Sequence, residues 1–210
     1  MVETVRPYPA TLSIDYPDKP RNRLTCFFRA FTVIPIYIIL VLLMGATTGW
    51  KADSSALSYG ACGFVFLPLV LMILFRQKYP KWWFDWNLNL TRFFYRVAAY
   101  FLLLRDEYPS TDEEQAVHID IAYPDVKKDL RRWLPLFKWI MAIPHYIVLA
   151  FIGIGAGAVT VIAWFAILFT GKYPKGLFDF VINYERWWLR VAAYAFLLTT
   201  DQYPPFRLGA

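Results

Sequence analysis

Apolar residues along this chain fall into long runs separated by short polar segments, and the order of the runs recurs. An alternating stretch, Leu12 and Ile14 set against Ser13 and Asp15, predicts a short strand. An apolar run near 24–45 follows, about 20 residues long and so sufficient to cross the hydrocarbon layer of a bilayer. Pro35 sits in its middle, where a kink is expected. A second run near 57–75 and a helical segment at 83–104 complete the series. The same order then returns, with alternation at Ile119 and Ile121, a run near 133–153 around Pro144, a shorter run near 157–170 and a helical segment at 177–198.

Residues recur along with the pattern, and fixed-period self-similarity is the mark of a duplicated unit. Leu12-Ser-Ile-Asp-Tyr-Pro-Asp18 returns as Ile119-Asp-Ile-Ala-Tyr-Pro-Asp125, and Phe28-Arg-Ala-Phe-Thr-Val-Ile-Pro-Ile-Tyr37 as Phe137-Lys-Trp-Ile-Met-Ala-Ile-Pro-His-Tyr146. Leu74-Phe-Arg-Gln-Lys-Tyr-Pro-Lys81 matches Leu168-Phe-Thr-Gly-Lys-Tyr-Pro-Lys175, Arg96-Val-Ala-Ala-Tyr100 matches Arg190-Val-Ala-Ala-Tyr194, and Tyr108-Pro109 matches Tyr203-Pro204. The spacing falls from 109 residues at the first run to 94 after the second, which assigns the first unit an insertion at Gly45 to Ser55. Insertions collect at loop tips. Gly153-Ile-Gly-Ala-Gly157 stands at the corresponding place, as a bare turn or as a small-residue spacing that lets helices approach closely. The expected architecture is an all-α integral membrane fold of two tandem units, 1–110 and 111–210. Each is a short surface strand, a transmembrane helical hairpin and an amphipathic, aromatic-rich interfacial helix.

Polar residues of the last helix in each unit lie at Asp85, Asn89, Arg92 and Arg96, and at Asp179, Asn183, Arg186 and Arg190. Offsets of four, seven and eleven keep all four side chains on one narrow line of a helix. Crossing lipid with that line unpaired costs about 2.5–3.5 kcal/mol per charged residue. Lying in the interface avoids the cost, and the protein then has four spans; spanning third helices give six. Two roles follow for the stripe. It is a lipid or anion site, since paired guanidinium forks suit phosphate or carboxylate, or a structural clamp in which Asp85 meets Arg186 or Arg190 and Asp179 meets Arg92 or Arg96. Lys78, Tyr79 and Lys81, with Lys172, Tyr173 and Lys175, are the expected interface anchors, lysines reaching phosphates and tyrosines at headgroup depth.

Composition agrees with a membrane setting. Of the 210 residues 58% are hydrophobic, and nine Trp and fourteen Tyr suit several membrane–water boundaries. The net charge of +6 flanks apolar runs, which points to anionic lipid headgroups as partner and away from nucleic acid. Residues 1–25 lack the apolar core of a cleavable signal. Arg6, Lys19, Arg21, Arg23 and Arg29 outnumber the single Lys51 of the inserted loop, which predicts cytoplasmic termini.

At these motifs the chain resembles the bacterial domain of unknown function 4389 family, small multi-pass membrane proteins with a Tyr-Pro-Asp segment, a Phe-Asp helix start and an Arg-Val-x-Ala-Tyr helix. Asp85 and Asp179, opening matching helices, are its best markers. The resemblance implies this architecture alone and brings no activity or catalytic residue; the location expected for the chain is the bacterial inner membrane.

His145 follows Pro144 in an apolar run. It is a candidate for haem ligation or proton transfer, or a group bonded to carbonyls that the proline frees. Cys26 and Cys62 suggest buried thiols, and Ser110-Thr-Asp-Glu-Glu-Gln115 a solvated helix start in place of a metal site. No nucleophile–base pair or phosphate loop is evident, so neither catalysis nor a cofactor is expected. The function expected is that of a non-catalytic membrane accessory or scaffold subunit packed against a larger membrane complex and touching anionic headgroups. The alternative is a small transporter or lipid-handling protein with an anion site at the arginine stripes.

Overall fold

In a computed structural model, residues 8–17, 21–43, 68–111 and 113–209 of the 210 are described. The inserted loop, most of the run expected at 57–75 and Cys62 lie outside them. Two strands, β1 (Ala10–Ile14) and β2 (Val117–Ile121), pair antiparallel with Leu12 opposite Ile119. Both alternate buried and exposed, so Leu12, Ile14, Ile119 and Ile121 all point one way, into the protein.

Beneath the sheet lie two long helices, α2 (Lys81–Phe101) and α5 (Lys175–Ala195). Pro80 and Pro174 precede them, where the missing N–H leaves no helical bond unmade. Two apolar helices form the other side, α1 (Arg23–Leu43) against α2, and α4 (Ile143–Thr170) against α5. A short helix, α3 (Pro135–Met141), leads into α4.

Two expectations about the second apolar stretch are corrected. The run 133–153 is not one proline-kinked helix: α3 stops at Met141, and Pro144 lies in the first turn of α4, where its ring is tolerated. Nor does the chain turn at Gly153 to Gly157, because α4 continues through all three glycines for 28 residues, about 42 Å at the usual rise. An apolar environment supplies the reason. Opening the helix there would strand N–H and C=O groups without partners at several kcal/mol each, more than the ~1 kcal/mol that each glycine costs a helix. Gly153 instead serves close packing, since a Cβ on it would stand 2.9 Å from Tyr184 Oη.

α1 bends by 51° between Arg23–Arg29 and Phe31–Leu43, one turn before Pro35, whose ring crowds the carbonyl four residues back. α4 is long and apolar enough to cross a membrane, and the bent α1 meets the same test as one broken span.

The helices expected to lie in the interface are enclosed by protein. On α5, Phe178, Val181, Ile182, Trp187, Leu189, Val191 and Tyr194 are all buried, between α4 on one side and β1 on the other. Gly171, in the left-handed conformation, ends α4, and α5 opens four residues later at Lys175 and packs against it. α2 is half enclosed in the same way, keeping Trp82, Asp85 and Trp86 exposed.

Candidate functional site

The polar stripe faces the sheet. Arg186 Nε donates to Leu12 O at 2.8 Å, and Arg92 Nε and Nη2 donate to Ile119 O at 3.3 Å. Leu12 and Ile119 are the cross-strand pair at the centre of the sheet, so Arg92 and Arg186 each hold the strand of the other half. Asn183 and Asn89 accept from the same two guanidiniums, at 3.1 and 3.4 Å. Arg96 Nη1 donates to Ser110 O, and Arg190 Nη2 to Arg207 O. Asp85 and Asp179 are exposed and form no ion pair with these arginines, so the carboxylate clamp is not present. Arg92 and Arg186 do clamp, but through strand carbonyls. A carbonyl at a fixed strand position needs no side-chain ordering, whereas the exposed aspartates gain little from leaving water.

A second pair of cross-links joins the motifs around Tyr-Pro. Tyr16 Oη donates to Tyr173 O at 2.6 Å, and Tyr123 Oη donates to Tyr79 O. The rings also pack edge-on against the opening phenylalanines, Tyr16 on Phe178 and Tyr123 on Phe84. Tyr79 and Tyr173 are both about 98% buried or more within the protein, and Tyr79 Oη donates inward to Leu197 O. Lys78, Lys81, Lys172 and Lys175 remain exposed.

Sequence reading missed the most deeply buried charges. Lys138 of α3 is wholly buried, 2.7 Å from Asp201, bonded to Thr200 O and 5.1 Å above the Tyr194 ring. Burial pushes its ammonium below the usual value, and Asp201 opposes that shift. Arg29 occupies the corresponding place in the first half. It pairs with Asp106, donates to Arg105 O and stacks 4.5 Å over Tyr100. Arg21 adds a second buried guanidinium, 3.1 Å from the same Asp106. The geometry depends on Leu103 and Leu198, left-handed residues at φ 62° and 53° that turn the chain after α2 and α5 so that the aspartates double back. The available signal was a cation inside each apolar run (Arg29, Lys138) and an aspartate two residues before each Tyr-Pro (Asp106, Asp201).

His145 is buried, and its Nδ1 accepts from Trp187 Nε1 at 3.1 Å while its ring stacks on Phe206 at 3.9 Å. Trp187, and not a carbonyl released by Pro144, is thus the partner of Nδ1, and that nitrogen is engaged within the protein. Glu185 on α5 is the other isolated buried group. It lies beside Tyr95 and Tyr184 in a setting that pushes its carboxyl up to about 7 by loss of solvation. Among the described residues no group of three His, Cys, Asp or Glu side chains is placed to hold a metal ion.

Among the described residues, surface cavities open at two places that bear on the site. One of about 360 Å³ is lined by Asn89, Arg92, Arg96, Glu114, Gln115 and His118, among others, and so contains three of the four residues of the first stripe. The other, about 340 Å³, lies between the end of the second apolar run and the start of α2.

These features define a helical protein with an apolar outer layer, a paired-strand cover and a polar network between them. Residues 133–207 match the family model described as Domain of unknown function (DUF4389). No curated protein and no solved structure matches the chain.

Proposed function

We propose that this is a duplicated, multi-pass protein of the bacterial inner membrane. In this reading it acts as a non-catalytic accessory or scaffold subunit beside a larger membrane complex and contacts anionic headgroups at its edges. The observation that carries the reading is the exposed face of α4. Ile147, Phe151, Ile154, Val161, Ile162, Phe165 and Phe169 face outward along its whole length, and only 17% of its most apolar window is buried. Exposed faces of this extent mark a lipid or protein contact. The duplication is supported by contacts that recur at corresponding residues: Arg92 and Arg186 on Ile119 and Leu12, Tyr16 and Tyr123 on Tyr173 and Tyr79, Arg29 and Lys138 on Asp106 and Asp201. Arg92, Arg186, Tyr16 and Tyr123 are spent on holding the halves together, which suits a scaffold. Positive-inside bias favours cytoplasmic termini, since it acts during insertion, before Arg21 and Arg29 find Asp106.

The test is extraction at alkaline carbonate followed by gentle detergent purification from the native host. Retention in the membrane and a stoichiometric larger membrane partner are expected. Release by carbonate removes the integral reading, and a monodisperse chain with no partner removes the accessory one.

The cavity at Asn89, Arg92 and Arg96 favours a second reading, a small transporter or lipid-handling protein with an anion site there. Counterflow of a radiolabelled anion in proteoliposomes, lost in Arg92→Gln, would move the function to that class.

A further inference from the structure

The smaller cavity is lined by Met72, Arg76, Lys78, Pro80, Lys81 and Trp82. We propose that it holds the phosphate of one anionic phospholipid, with the acyl chains running along the adjoining apolar surface; this rests on the membrane reading above. Among the described lining residues three are cations and none is acidic. Arg132 adds a fourth cation at this end, its Nε bonded to Leu74 O and so stitching the π-helical turn Met72–Arg76 in place. Gln77 then reverses the chain in a left-handed conformation, φ 46°, which brings Arg76 and Lys78 to one opening from opposite sides of the bend.

The apolar part of a lipid has a path from this mouth. Leu71 and Phe75 are exposed on the side of the apolar run, and Trp82 is 66% exposed at the rim. Tryptophan at such a boundary places its ring at headgroup level, and it opens a chain of ring contacts through Trp83 to Trp86. A cavity of this volume falls in the range of small-ligand sites. A guanidinium with two ammonium groups is a suitable donor set for phosphate, the arginine fork fixing direction and the lysines supplying point charge.

The chain carries its own control. At the corresponding positions of the second half stand Thr170, Lys172, Pro174, Lys175 and Gly176, so the lysines are retained while the arginine and the tryptophan wall are absent. Interface lysines alone attract any anionic surface; the arginine and tryptophan distinguish one seated lipid from a diffuse charge effect.

The experiment uses the full chain in phosphatidylcholine nanodiscs doped with phosphatidylglycerol, released into neutral detergent for native mass spectrometry. One retained phosphatidylglycerol is expected. In the triple variant Arg76→Gln, Lys78→Gln, Lys81→Gln its affinity should fall at least about tenfold, three lost contacts near an anionic surface being the source. Lys172→Gln with Lys175→Gln should leave the lipid bound. If the triple variant does not fold, Arg76→Gln alone and Trp82→Ala alone should each lower occupancy severalfold. Equal retention in the triple variant, or equal loss in the Lys172 and Lys175 variant, overturns the site. Displacement of the lipid by millimolar inorganic phosphate overturns the lipid as occupant. A chain that inserts with no preference for phosphatidylglycerol sinks this inference alone, whereas a chain that does not enter the nanodiscs sinks the membrane reading beneath it.

Discussion

Lys138 and Asp201 offer the sharpest test of what holds this fold together. Lys138 has no exposed surface, and its ammonium is 2.7 Å from a carboxylate whose side chain is only 15% exposed. Replacing Asp201→Asn keeps the shape and an acceptor for the Arg131 N–H that now donates to it, so the loss isolates the charge. An ammonium left buried without its counter-ion costs about 3–5 kcal/mol. At roughly 2–4 °C of melting temperature per kcal/mol for a chain of this size, the shift is about 6–20 °C downward. Intrinsic tryptophan fluorescence during heating in a mild detergent measures it. Adding Lys138→Met removes the stranded charge, and the double variant should recover to within about 2 kcal/mol of the parent, because a buried pair exchanged for apolar groups is often neutral. A single variant that melts within about 2 °C of the parent, or a double variant as poor as the sum of the two single ones, would show that the Lys138–Asp201 pair does not hold the fold in this way.

Arg186→Ala removes the donor to Leu12 O and should cost about 2 kcal/mol as a lost charge-assisted bond, while Asp179→Asn should stay within about 0.5 kcal/mol; the reverse order in chemical denaturation would restore the carboxylate clamp. Glu185, held near 7 on α5 and facing Tyr95 and Tyr184, keeps its proton more tightly folded than unfolded. Its favourable contribution is complete below its ordinary value near 4.5 and is lost as pH rises through about 7, so Glu185→Gln should gain about 3 kcal/mol on the parent between pH 4 and 8. Parallel pH–stability curves for the two proteins would contradict this. Gly157→Ala meets no atom within 4 Å and should stabilise α4 by up to about 1 kcal/mol, whereas Gly153→Ala must displace Tyr184 and should gain less or lose. Equal melting temperatures for these two variants would argue against the close α4–α5 approach.

Periodicity and repetition made much of the molecule legible. The alternation at Leu12, Ile14, Ile119 and Ile121 marked both strands, because a period of two survives in any strand with one buried face. The polar line expected on 83–104 and 177–198 marked two helices with a distinct face, found at 81–101 and 175–195, because a narrow stripe at period 3.6 has no other regular realisation. Apolar length marked 133–153 and 157–170 as two membrane-crossing runs, where the structure has the single long helix α4.

What those lines face was decided only by tertiary structure. A stripe of Asp, Asn and Arg reads the same whether it meets lipid, its own copy or a sheet; that Arg92 and Arg186 seek carbonyls depends on β1 and β2 pairing across 107 residues of chain. The short-range pattern likewise could not show that α4 passes through three glycines, since propensity favours a break and the need to satisfy backbone groups in apolar surroundings overrides it. Nor could it join Lys138 to Asp201 or Arg29 to Asp106, partners 63 and 77 residues apart that meet only after Leu198 and Leu103 turn the chain back. Sequence set which residues share a face and how long each element runs, because both follow from local backbone geometry. Partners and burial came from packing, because charge and hydrogen-bond satisfaction are settled over the whole fold.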